Sequence, residues 1–193
     1  MIASKRQKLF VAWLSSVAFV IALSTLTGGA NELTVALSTF VCGITTLVFW
    51  LSRDRLVELS GRWKTRPGLK FVLAGALGAA WVEFVFWGFE RVLGAEGIAA
   101  SPDLLVDYVA TMPWYLMMLA LLWRVVNRYR YSPGEILFLG GIYELGADGL
   151  FAPTFAGQLT FSGLMATLAV VPLFVVVYSP MVLPPVYLLS REL

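Results

Sequence analysis

Polar and charged positions cut this chain into six long apolar runs. The runs cover about Leu9 to Leu26, Leu33 to Leu51, Phe71 to Phe89, Leu104 to Trp123, Glu135 to Phe151 and Phe161 to Tyr178. Thr27-Gly28-Gly29-Ala30-Asn31 separates the first two, and Glu90-Arg91 closes the third. Most of these runs approach the roughly 20 residues that a helix needs to cross a bilayer. In lipid the backbone must satisfy its own hydrogen bonds, so the runs read as helices; barrel strands would be shorter and alternating. The pattern predicts an all-α polytopic bundle of six spans in one transmembrane domain over 1–193. Pro172 falls in the sixth run, and Pro180, Pro184 and Pro185 follow. The expected outcome is a kinked sixth span and a broken, Pro-rich segment over 179–193.

Lys and Arg set the orientation. With the N-terminus inside, thirteen of the fourteen bases fall on inner segments and only Arg91 on an outer one. An even number of spans returns the C-terminus inside as well. Lys5, Arg6 and Lys8 before an apolar run also have the form of a signal peptide, with Gly28-Gly29-Ala30 as the cleavage site. The run exceeds the usual h-region, which favours a retained span.

The 52–70 loop holds six bases and two acids. Leu56, Leu59 and Trp63 share one face of an expected short interfacial helix ended by Pro67-Gly68. Such a loop suits an anionic lipid or a docking partner; topology charge with an interfacial Trp is the plainer account. Small residues recur four apart in the third span (Ala74 with Gly78, Gly75 with Ala79, Ala76 with Ala80) and in the sixth (Ser162 with Ala166, Gly163 with Thr167). They allow close helix approach, within the chain or toward a homo-oligomer or membrane partner.

Composition removes several functions. Apolar residues make up 59% and charged residues 13%, which places the protein in a cell membrane rather than in solution. There is no His and a single Cys, Cys42, so imidazole catalysis, a Ser-His-Asp triad, His-ligated haem, a CxxC pair and a Cys/His zinc site are excluded within the chain. A net charge of +2 gives no footprint for nucleic acid. No cofactor is evident.

What chemistry remains lies in carboxylates. Glu83, Glu90, Asp107, Glu144 and Asp148 fall inside spans or at their rims, all in the outer half of the predicted topology. Glu83, Trp87 and Glu90 share a helix face, as do Asp107, Thr111 and Trp114, and so do Glu144 and Asp148. If the faces converge, spans three to five line one acidic, aromatic-walled pocket that opens outward. The expected binding set is therefore Glu83, Trp87, Asp107, Thr111, Trp114, Glu144 and Asp148. Intramembrane ionisable residues mark functional sites by default, so Glu83 and Glu144 are also the candidates for acid catalysis. Oxygen-only donors suit a hard cation such as Na⁺, Ca²⁺ or Mg²⁺. Gly140, Gly141, Gly146 and Gly149 weaken the fifth span as a helix and place it centrally in the bundle.

Three functions compete. A small transporter or ligand-binding membrane subunit would take a cation, proton or small solute at the acidic site. An intramembrane enzyme would protonate a lipid or isoprenoid alkene, with Trp81, Trp87, Trp114 and Tyr143 facing the cation. A structural subunit would use the small-residue faces for assembly. The stretch from Glu83 to Pro153, under half of the chain, loosely resembles the membrane carotenoid hydratases: a membrane Glu, then Pro113-Trp114 with Met117-Met118, then an acidic helix ending before a Pro. That resemblance implies a carotenoid substrate for the enzyme reading.

Overall fold

The computed structural model describes residues 15, 17–23, 25, 26, 28–129, 131–147 and 160–188. Helix α1 covers 17–23, α2 Ala30–Gly61, α3 Pro67–Leu93, α4 Leu104–Tyr129, α5 Pro133–Ala147 and α6 Phe161–Leu188. The described residues are helical or in turns and contain no strand. Four helices are long and apolar enough to cross a membrane: α2, α3, α4 and the Val170–Leu188 part of α6. Exposed Phe40, Leu47, Leu77 and Leu105 belong against lipid, which makes this an integral membrane protein.

Local chemistry places the helix ends. Glu32 accepts the Gly29 N–H at 2.8 Å, and Leu33 N–H starts the ladder of α2 at the Gly29 carbonyl. Pro67 opens α3 instead of closing a preceding helix, which corrects the expected Pro67-Gly68 stop. A first-turn Pro loses a hydrogen bond that no helix makes there. The basic stretch after Leu51 is no separate interfacial helix: α2 carries it through to Gly61. Gly94, at φ 67°, ends α3 in the left-handed region. Asp103 caps α4 by accepting the Leu105 and Val106 N–H groups. Ser132 and Glu135 cap α5 reciprocally.

The largest departure from expectation is α6. It runs unbroken through Pro172, Pro180, Pro184 and Pro185, and its last turns are among the most buried of the bundle, with Met181, Val182 and Val186 in the core. Each Pro deprives the carbonyl four residues back of its donor. Neighbouring groups take up the loss. Ser179 Oγ donates to the Val176 carbonyl at 2.7 Å, the one Pro180 leaves open, and also bonds Thr46 Oγ1 on α2. The backbone of Gly78 lies against the Pro180 carbonyl, the one Pro184 leaves open; a Cβ there would overlap that oxygen and lie 2.6 Å from Met181 Cα.

Thus α6 is the hub, packed against α2, α3 and α5. Helix α5 lies against α6 through Gly140, which faces Val182, and Gly141, which faces the Val175 backbone. Gly75 admits Leu119 from α4. These small residues serve packing inside the chain. The main core (Phe71, Met118, Leu119, Ile136, Met181, Val182) fills the half of the bundle near the α2–α3 turn.

The two ends differ in charge. At one, Ser60 bonds the Leu188 carbonyl and Lys70 donates to the Ser60 carbonyl, so a buried ammonium sits at the C-terminal end of α2. Lys70, expected in a loop, is therefore within α3. Arg53, Arg55, Arg62, Lys64, Arg66, Arg124 and Arg128 belong to this half. At the other end Asn31 pairs with the backbone of Glu96 in both directions, and Glu32, Glu90, Glu96, Asp103 and Asp107 gather with Arg91.

Candidate functional site

A cavity of about 420 Å³ opens at the acidic end. Val82, Glu83 and Phe86 of α3, Thr111 and Tyr115 of α4, and Leu173, Phe174, Val177 and Tyr178 of α6 form its walls. Gly97 to Ala100, in the α3–α4 loop, form its roof.

The floor is built around Glu83. This carboxyl is only 9% exposed, and the Tyr115 hydroxyl donates to its Oε1 from across the helix boundary. Tyr115 packs at 6.2 Å from Tyr178, which packs at 5.9 Å from Phe174. The result is a polar spot, carboxylate plus phenol, under an aromatic and aliphatic wall. Glu144, on α5, is also buried, at 3% exposed. Thr111 lines the cavity while its own hydroxyl is spent on the Asp107 carbonyl.

The roof is held by carboxylates. Glu90 accepts the Ala99 N–H. Asp107, with no exposed surface, accepts the Ala100 N–H at 2.8 Å and the Ser101 N–H at 3.3 Å through Oδ1, while its Oδ2 has no hydrogen-bond partner among the described residues. Trp87 Nε1 donates to the Pro102 carbonyl at 3.0 Å. Gly97 takes φ 74°, a backbone state that side-chain-bearing residues rarely adopt.

The expected residues therefore divide. Glu83 and Thr111 line the cavity; Trp87 and Asp107 hold its roof; Glu144 is buried on α5 and is not among the lining residues. Trp114 is 60% exposed and points away, because the buried face of α4 runs through Tyr115, Met118, Leu119, Leu122 and Val126. That i, i+3, i+4, i+7, i+11 stripe was present in the spacing and outranks the Asp107–Thr111–Trp114 stripe. Asp148 lies outside the described residues. Tyr115 and Tyr178 were missed: each is a phenol inside an apolar run, and nothing local separates it from an interfacial aromatic. Among the lining residues α6, not α5, supplies the wall opposite α3 and α4. No three His, Cys, Asp or Glu side chains come together as a metal set among the described residues. Comparison with models of protein families, with curated proteins and with solved structures yields no match.

Proposed function

We propose that the protein is a six-span, multi-pass cell-membrane protein, both termini inside, that takes a small amphipathic ligand into the Glu83–Tyr115 cavity from the outer side. It acts as a transporter or as the ligand-binding subunit of one. The observation that carries this reading is a buried carboxyl–phenol pair on the floor of an otherwise largely apolar cavity. A site of this kind grips an apolar body by its walls and fixes one donor or cationic head at its polar spot. The segregation of bases and acids to opposite ends supports the orientation. The core beneath Tyr115 closes the cavity toward the basic end, so passage across the membrane requires α6 to shift against its neighbours.

The test uses purified protein in nanodiscs with homologous series of alkylamines, alkanols and alkylcarboxylates. Amines are expected to raise the melting temperature most, by mass action on the folded state. Glu83→Gln should remove the preference for amines over alkanols, and Val177→Trp, which fills the cavity, should remove stabilisation by both. Equal responses of wild type and both variants to all three series would refute the reading.

A second reading rests on the same pair. A carboxylic acid facing Phe86, Phe174 and Tyr178 is placed to protonate an alkene and to stabilise the resulting cation by aromatic faces. Altered isoprenoids or carotenoids on expression, lost in Glu83→Gln, would favour this enzyme over the transporter.

A further inference from the structure

A second hollow extends toward the basic end of the bundle, beginning at Met118, one turn of α4 beyond Tyr115 of the Glu83 cavity. Helices α4 and α5 make little contact with each other, and a groove of about 320 Å³ separates them. Met118, Leu121, Leu122 and Val125 form one wall and Leu139 and Tyr143 the other, so its surface is mostly hydrocarbon. Its lower mouth is different. Tyr129 and Tyr131 stand there with ring centroids 6.0 Å apart. The Arg128 guanidinium lies 5.3 Å from the Tyr129 ring centroid, and Arg124, one turn earlier on α4, is exposed. Neither arginine has a carboxylate within ion-pair distance among the described residues.

We propose that this groove holds one anionic phospholipid of the inner leaflet, an acyl chain between α4 and α5 and the phosphate at Arg124 and Arg128. Three features single out this occupant. The groove lies between two helices at membrane depth, where an acyl chain is the solute at hand. Its length ends at a tyrosine pair, the side chain suited to the ester and headgroup level. Among the described residues no charged side chain lines it, but Arg128 lies over the ring of the lining Tyr129 and Arg124 is one turn away, and their planar donors match a phosphate. The basic stretch between Arg53 and Lys70 belongs to other helices, α2 and α3.

The experiment is lipid retention by the full chain, purified from mixed phosphatidylcholine and phosphatidylglycerol and read by native mass spectrometry. Wild type is expected to keep one phosphatidylglycerol through washing. Arg124→Gln with Arg128→Gln should lower that retention at least tenfold. Leu121→Trp, which keeps both arginines and fills the groove, should do the same. Arg53→Gln with Arg55→Gln serves as the charge-matched control and should leave retention unchanged. Glycerol phosphate, which lacks the acyl chains, should not compete. Each variant is checked for an unchanged circular dichroism spectrum and monodisperse elution. Retention unaffected by the paired Arg124 and Arg128 change, or lost equally in the control, would overturn the proposal. Competition by glycerol phosphate would overturn it too, since the headgroup alone would then account for binding.

Discussion

The Tyr115 hydroxyl of α4 donates to Glu83 Oε1 of α3, in the buried interior of the bundle. This bond joins the packing of two helices to a polar spot on the cavity floor. Removing a donor from a buried carboxyl costs about 1–3 kcal/mol, whereas replacing both partners by apolar groups is cheaper. Tyr115→Phe is therefore expected to lower stability by that amount, and Tyr115→Phe to cost less when Glu83→Leu is already present. A double-mutant cycle by thermal melting in nanodiscs measures it. Strict additivity would show that the two groups are not coupled.

The glycines of α3 should rank by what faces them. Gly78→Ala puts a methyl group into the backbone of Pro180 and Met181, which cannot move without α6. Gly75→Ala meets the end of the Leu119 side chain, which can rotate. Gly88→Ala meets nothing within 4 Å. Overpacking costs about 1–3 kcal/mol, and helical Gly→Ala in open space gains up to about 1 kcal/mol. The expected melting order is Gly88→Ala above wild type, then Gly75→Ala, then Gly78→Ala.

The proline-rich half of α6 yields a rescue experiment. Ser179→Ala removes the donor that replaces the missing Pro180 N–H at the Val176 carbonyl, along with the bond to Thr46. A loss of about 1–2 kcal/mol follows. Pro180→Ala restores a backbone donor to that carbonyl, so Ser179→Ala should cost less in its presence. Equal costs in both backgrounds would mean that the Thr46 bond accounts for the whole effect.

The roof over the cavity depends on Asn31, Glu90 and Asp107. A cysteine at Ala99 should react slowly with an aqueous maleimide in the parent protein and several-fold faster after Asn31→Ala or Asp107→Ala. Cys42 is fully buried and contributes little background. Unchanged rates in both variants would show that these bonds do not hold the loop.

Orientation is open to the same chemistry. Lys64 and Glu96 are exposed at opposite ends. In intact cells an impermeant maleimide should label Glu96→Cys, and should label Lys64→Cys only after permeabilisation. The reverse pattern would invert the proposed topology.

Much of the helical layout was readable in the linear chain. The apolar runs at 71–89 and 104–123 are the centres of α3 and α4, since hydrocarbon forces backbone self-satisfaction whatever the partners. Helix ends were less legible. Pro67 reads equally as a stop or as a first helical residue until the direction of the chain beyond it is known. Of the site, Glu83 was identifiable because a carboxyl inside an apolar run is costly without a purpose. The polar spacing Asp107, Thr111 and Trp114 points to Trp114, whereas the apolar stripe through Tyr115, Met118, Leu119 and Leu122 decides which side of α4 is buried.

Sequence alone determined that this protein lives in lipid, which segments are helical at their centres, and that with no His and one Cys its carboxylates are the principal candidates for proton or cation chemistry. Those properties depend on transfer free energies and on missing residue types, which are local or compositional. Tertiary structure decided the rest. The proline-rich end of α6 is an unbroken, buried helix in which Ser179 meets the carbonyl that Pro180 leaves open and Gly78 lets α3 approach the Pro180–Met181 backbone closely. Glu83 belongs to a cavity because Tyr115 meets it from 32 residues away. Asp107 became a roof anchor because a loop folds onto it. A hydrogen bond between distant residues has no signature at either position, so only the packed chain could assign these roles.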